Sequence, residues 1–172
     1  FVPGAVTILD VNYDSTMGRW QRNAANSVSF SGAATSTNCG GAITPWKTMV
    51  TCEEIDFNFD LTGDGYRDYG WVIELDPFTR QVKDYDNNGT KDKVWAMGRF
   101  KHENCAFAAD SITVYEGEDN SSNGFLFKYV ADQKANLSSG KLYVLVISGS
   151  TGTWVQVPNT TKSERNSTIS LA

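Results

Sequence analysis

Histidine is nearly missing from this chain. A single one, His102, stands among 172 residues, which argues against a multi-histidine zinc centre and makes a Ser-His-Asp triad hard to build. Basic excess is missing too: the net charge is −5 and the pI about 4.8, so a phosphate backbone is a poor partner and no nucleic acid is expected. No apolar run approaches the roughly 18 residues that span a bilayer, so no transmembrane segment is expected. Rossmann and phosphate-loop fingerprints are absent, as is a paired CxxC. The glycine-bearing stretch 149–152 lacks the lysine and helix that a phosphate loop needs. The sequence opens Phe1-Val2-Pro3-Gly4, without Met or a signal peptide, which reads as a processed product or an excised segment.

Helical periodicity is equally scarce, and what replaces it is alternation. Gly70-Trp71-Val72-Ile73-Glu74-Leu75-Asp76, Gly124-Phe125-Leu126-Phe127-Lys128-Tyr129-Val130 and Gly140-Lys141-Leu142-Tyr143-Val144-Leu145-Val146 are aromatic and β-branched, and polar or glycine residues bound them. They read as strands. Further strands are expected over 5–9, 47–52, 94–100 and 112–116, with loops over 23–41, 87–92 and 131–140. At 40% hydrophobic and 20% charged residues, the chain belongs to the soluble globular class, with length for one domain over 1–172. Many short strands joined by turns predict an all-β sandwich, barrel or propeller. An internal echo favours the propeller. Glu53-Glu54 leads to Gly70-Trp71, and Glu118-Asp119 leads to Gly124-Phe125, a spacing close to the roughly 40–50 residues of a propeller blade. The expectation is a set of β-propeller-like antiparallel sheets, a partial propeller of several blades or part-blades.

Two Asp-rich inserts, over 56–69 and 84–93, interrupt this pattern. The second reads Asp84-Tyr85-Asp86-Asn87-Asn88-Gly89-Thr90-Lys91-Asp92 and matches D-x-D-x-N-G. The first places Asp60, Thr62, Asp64 and Asp68 similarly. Oxygen side chains at alternate positions with a glycine at the sixth let a short loop curl around Ca²⁺. Neither has a Glu at the twelfth position, and plain Asp/Asn/Gly turns are the competing reading. Three cysteines, Cys39, Cys52 and Cys105, form an odd set, so any disulfide between two of them leaves a thiol over. Sequons at Asn88, Asn120, Asn136, Asn159 and Asn166 are compatible with export, although Asn, Ser and Thr are common enough here for chance to supply most of them.

The densest chemistry lies in Asn38-Cys39-Gly40-Gly41 with Thr44-Pro45-Trp46, then Thr51-Cys52-Glu53-Glu54, Gly98-Arg99-Phe100-Lys101-His102-Glu103, and Glu118-Asp119 before Gly124-Phe125-Leu126-Phe127. A thiol, an imidazole and several carboxylates in separate segments suit a multi-metal site for oxygen chemistry. In this order, and with Leu137 to Gly140-Lys141-Leu142-Tyr143, these segments resemble the PhoX-type alkaline phosphatase family over roughly residues 38–157. The resemblance implies an exported β-propeller, periplasmic, secreted or at the cell surface, whose channel holds iron (Fe³⁺) and Ca²⁺ and hydrolyses phosphomonoesters. It implies Cys39 as the thiolate on iron, with Cys52 as the alternative. Glu53 or Glu54, Glu103, Glu118 and Asp119 are the implied carboxylate ligands, and His102 orients a ligand. Lys47 stands where the family pattern expects a glycine, and the upstream histidine–glutamate and downstream arginine–proline–glutamate motifs have no match. The chain therefore reads as a central segment of a larger propeller, whose edges call for the remaining blades or for self-assembly, and which need not be active alone. The rival expectation is a non-catalytic, calcium-stabilised extracellular binding, structural or assembly module on the same scaffold.

Overall fold

The computed structural model describes residues 4–30 and 33–172. The opening Phe1-Val2-Pro3, and Ser31 and Gly32 inside the loop expected over 23–41, lie outside the described residues. Eleven strands form three sheets whose strands pair antiparallel among the described residues. The hairpin β1 (Thr7–Asp14) and β2 (Arg19–Ser27) stands as a sheet of its own. β3 (Asn38–Ile43), β4 (Met49–Glu53), β5 (Val72–Asp76) and β6 (Gln81–Val82) form a four-stranded meander. β7 (His102–Phe107), β8 (Thr113–Glu118), β9 (Leu126–Gln133), β10 (Asn136–Ser148) and β11 (Thr151–Val157) form a five-stranded one. Two short helices, α1 (Lys162–Asn166) and α2 (Thr168–Leu171), follow. The all-β, antiparallel expectation holds. Neither a closed barrel nor a closed ring of blades is present among the described residues.

Both meanders start with the strand that faces the other. Gly40 on β3 lies so close to β7 that an added Cβ would meet the Glu103 carbonyl oxygen at 2.4 Å and the Asn104 side chain at 2.7 Å. The space between the sheets is filled by apolar side chains from both, including Val50, Cys52 and Val72 from one and Cys105, Val114, Phe127 and Tyr129 from the other. A smaller cluster of Val28, Ala33, Ile73, Leu75 and Val82 covers the far face of the four-stranded sheet. Burial on both faces explains why β4 and β5 read as continuous buried runs.

Several element assignments change. The segment 94–100 contains a 3₁₀ turn, Trp95–Met97, in place of a strand. Gly98 there has φ +87°, and a Cβ on it would collide with Leu142 at 2.6 Å, so the chain turns where a side chain could not pass. The expected loop over 23–41 contributes the end of β2 and the start of β3, and that over 131–140 is spanned largely by β9 and β10. Their polar residues occupy exposed sheet positions, where alternation carries no hydrophobic signal.

Candidate functional site

The echo seen in the sequence is a repeated hydrogen-bond plan. The Glu53 amide donates to the Trp71 carbonyl at 3.1 Å, and the Glu118 amide donates to the Phe125 carbonyl at 3.1 Å. In return, one Glu53 oxygen accepts from the Gly70 and Trp71 amides at 3.1 Å, while one Glu118 oxygen accepts from the Phe125 amide at 3.0 Å. The following amides match as well: Glu54 donates to the Thr37 carbonyl at 3.0 Å and Asp119 to that of Lys101 at 2.9 Å. In register, Asn38 faces Glu53 across β3 and β4, as His102 faces Glu118 across β7 and β8. Cys39 and Glu103 are therefore equivalent positions of two sheets, and so are Glu54 and Asp119.

These four side chains meet. Ligand atoms of Cys39, Glu54 and Glu103 lie within 4.8 Å of one another, with Cys39 Sγ 3.8 Å from Glu103 Oε1. Asp119 joins through a side-chain hydrogen bond with Glu54. The group is solvent-accessible, and no lysine or arginine forms an ion pair with it among the described residues. Like charge shows in its protonation. The Cys39 thiol is pushed up, first by its hydrogen bond with Glu54, then by desolvation and the charges of Glu54 and Glu103. Glu54 is raised in turn, first by its hydrogen bond with Asp119. A bound cation reverses that logic, because it favours every deprotonated group around it. A thiol with three carboxylates suits iron through the sulfur and hard cations through the oxygens, so the residues present fit the metals the resemblance implies.

The other expected ligands sit elsewhere. Glu53 is fully buried, and its oxygens accept from Lys93 Nζ at 2.8 and 2.9 Å, from Thr35 Oγ1 at 3.0 Å and from the Ser36 amide at 3.1 Å, besides the two amides above. Nothing in the sequence marked Lys93 as its partner. Glu118 is half-buried and raised, chiefly by burial. His102 lies in the layer beneath the group, with Nδ1 3.1 Å from Glu116 Oε2 and Nε2 3.2 Å from the Gly98 carbonyl. Glu116, which no sequence motif marks, is wholly buried and raised by that burial. Arg99 clamps the first insert: Nε donates to the Tyr69 carbonyl at 2.8 Å, and its guanidinium also reaches the Asp56 and Phe57 carbonyls.

The two inserts fold alike. In the first, the Leu61 amide donates to Asp68 Oδ2 at 2.7 Å, Gly65 to Asp60 Oδ2 at 3.1 Å and Tyr66 to Asp64 Oδ1 at 2.7 Å. In the second, Tyr85 donates to Asp92 Oδ2 at 2.8 Å, Gly89 to Asp84 Oδ2 at 2.9 Å and Thr90 to Asn88 Oδ1 at 2.7 Å. Carboxylate oxygens of Asp84, Asp86 and Asp92 come within 4.8 Å of one another. In the first insert, Thr62 Oγ1 sits 3.4 Å from Asp60 Oδ1 and 3.3 Å from Asp68 Oδ1. Both inserts line one cavity of about 530 Å³, with Tyr66 and Trp95 stacked in its wall.

A family model described as alkaline phosphatase PhoX matches residues 18–171. The chain belongs to the PhoX alkaline phosphatase family. The match extends upstream of the resemblance over 38–157 to include β2, and downstream to include both helices. No curated protein and no solved structure matches the chain. No helix is long and apolar enough to cross a membrane among the described residues.

Proposed function

We propose that this PhoX family chain is part of an exported, metal-dependent phosphomonoester hydrolase, and that Cys39, Glu54, Glu103 and Asp119 hold its metal cluster. The observation that carries this reading is the meeting of four ligand-type side chains from equivalent positions of two sheets. In this reading the two meanders are successive blades of a propeller, with β3 and β7 as innermost strands and the cluster at the end of their shared seam. The iron and calcium that suit this donor set would neutralise phosphoryl oxygens and lower the pKa of bound water. Cys39 supplies the sulfur ligand. Glu54 and Asp119 supply hard carboxylate oxygens, one from each sheet. Glu103 brings the second sheet's carboxylate to the thiol. His102 and Glu116 brace β7 from beneath, and Glu53 with Lys93 braces β4, so Glu53 takes a structural place. Glu118 stands at the margin as a further ligand.

Elemental analysis of natively purified protein, with a visible absorption scan and a phosphomonoester assay at alkaline pH, tests this. Iron, a thiolate-to-iron charge-transfer band lost in Cys39→Ala, and turnover lost in Glu103→Gln are the expected results. Protein with no iron that still cleaves the phosphomonoester, or an absorption band that survives Cys39→Ala, would overturn it.

The matched hydrogen-bond pattern of the two inserts supports a second reading, a calcium-stabilised extracellular binding or assembly module without catalysis. Asp84, Asp86, Asn88 and Asp92 would hold one Ca²⁺, and Asp60, Thr62, Asp64 and Asp68 another. Calcium without iron or turnover favours this reading.

A further inference from the structure

The odd cysteine count resolves in space. Cys39 is exposed in the acidic group, whereas Cys52 and Cys105 are buried. Cys52 on β4 and Val50 point into the space between the two meanders, and Cys105 on β7 enters it from the other side. The register explains the approach. Cys52 lies opposite the β3 bulge between Asn38 and Gly41, and Gly40 in that bulge packs on Asn104, the neighbour of Cys105. Cys52 and Cys105 are both buried in the one apolar cluster that fills this space. Their side chains therefore converge from different sheets, the first condition for a disulfide.

We propose that Cys52 and Cys105 form a disulfide when the chain folds in the presence of an organic disulfide, stapling the two sheets behind the acidic group and leaving Cys39 as the free thiol. The proposal does not depend on the phosphatase reading. One thiol loses its proton and attacks a sulfur of the organic disulfide, expelling one thiolate. The second cysteine, deprotonated in turn, attacks the mixed disulfide and expels the other. Two thiols are oxidised to one S–S bond, and the organic disulfide is reduced to two thiols. Timing follows from burial: both thiols are packed in the apolar space between the sheets, shielded from a dissolved disulfide. The finished reduced fold is thus slow to react, and the bond forms while the sheets are still closing.

Chain statistics give the contrary answer, which makes the test sharp. Cys39 and Cys52 are 13 positions apart and Cys52 and Cys105 are 53, so random closure favours the Cys39–Cys52 pair by about eightfold. Full-length protein is refolded with reduced and oxidised glutathione, alkylated under denaturing conditions, digested without reductant and mapped by mass spectrometry. The expected result is a cross-linked Cys52–Cys105 peptide pair and alkylated Cys39, with no free thiol in Cys39→Ala. Three alkylated cysteines, or a Cys39–Cys52 cross-link as the main product, would overturn the proposal. Cys39→Ala keeps both proposed partners, so its thiol count reads the Cys52–Cys105 bond directly.

Discussion

In the four-stranded sheet Asn38 Nδ2 donates to Thr51 Oγ1 at 3.1 Å. At the same register of the five-stranded sheet, His102 faces Glu116 at 3.1 Å with both side chains buried. Glu53 is sealed against Lys93, while its counterpart Glu118 is half-buried with no ion pair among the described residues. Even the turns correspond. In the β3–β4 turn the Lys47 amide donates to the Thr44 carbonyl, in the β7–β8 turn that of Ser111 donates to Ala108, and Lys47 and Ser111 have φ +70° and +64°. One backbone plan thus carries two polar fillings. The plan sets which positions reach the seam, and the side chains set whether a given carboxylate braces a sheet or faces outward.

The largest effect is expected from Lys93→Ala, which leaves the Glu53 carboxylate buried with no cation. A loss of about 3–5 kcal/mol in urea unfolding is expected. Glu118→Gln, at the position equivalent to Glu53, should cost only about 1 kcal/mol. Equal losses would break the distinction between a sealed and an open acid. Next comes transplantation of the first sheet's neutral pair into the second. His102→Asn alone strands Glu116 and should cost about 2–3 kcal/mol. Adding Glu116→Thr should recover at least about 1 kcal/mol of it, read as the coupling in a double-mutant cycle. Zero coupling would mean that the two pairs are not equivalent. The smallest effects are expected at the turns. Lys47→Gly and Ser111→Gly should each stabilise by roughly 0.5–1 kcal/mol, because a side chain in the left-handed region costs more than the extra freedom of glycine. A raised urea midpoint with an unchanged slope checks this. It also gives a physical reason for the glycine that the family pattern expects at position 47.

The acidic pairs show how much of the candidate site was legible. Glu53-Glu54 and Glu118-Asp119 stand out in sequence because each precedes a glycine–aromatic strand opening, and that relation is realised as hydrogen bonds. Which member of a pair faces the seam was not legible. Glu53 and Glu54 differ by one position, and one position along a strand exchanges a core face for an open one. Lys93 and Glu116 were illegible for a related reason: a buried charge is recognisable only beside its partner, and Lys93 lies 40 positions from Glu53.

The sequence by itself determined the strand-rich class, the position of the two Asp-rich inserts, the paired-acid echo and the family, because all of these are carried by local alternation, turn chemistry and ordered motifs. Tertiary structure decided that β3 and β7 lie side by side, that Cys39, Glu54, Glu103 and Asp119 meet while Glu53 turns inward, and that Cys52 finds Cys105. Those outcomes depend on how the two sheets pack against each other, and contacts between residues so far apart in the chain leave no periodic trace in it.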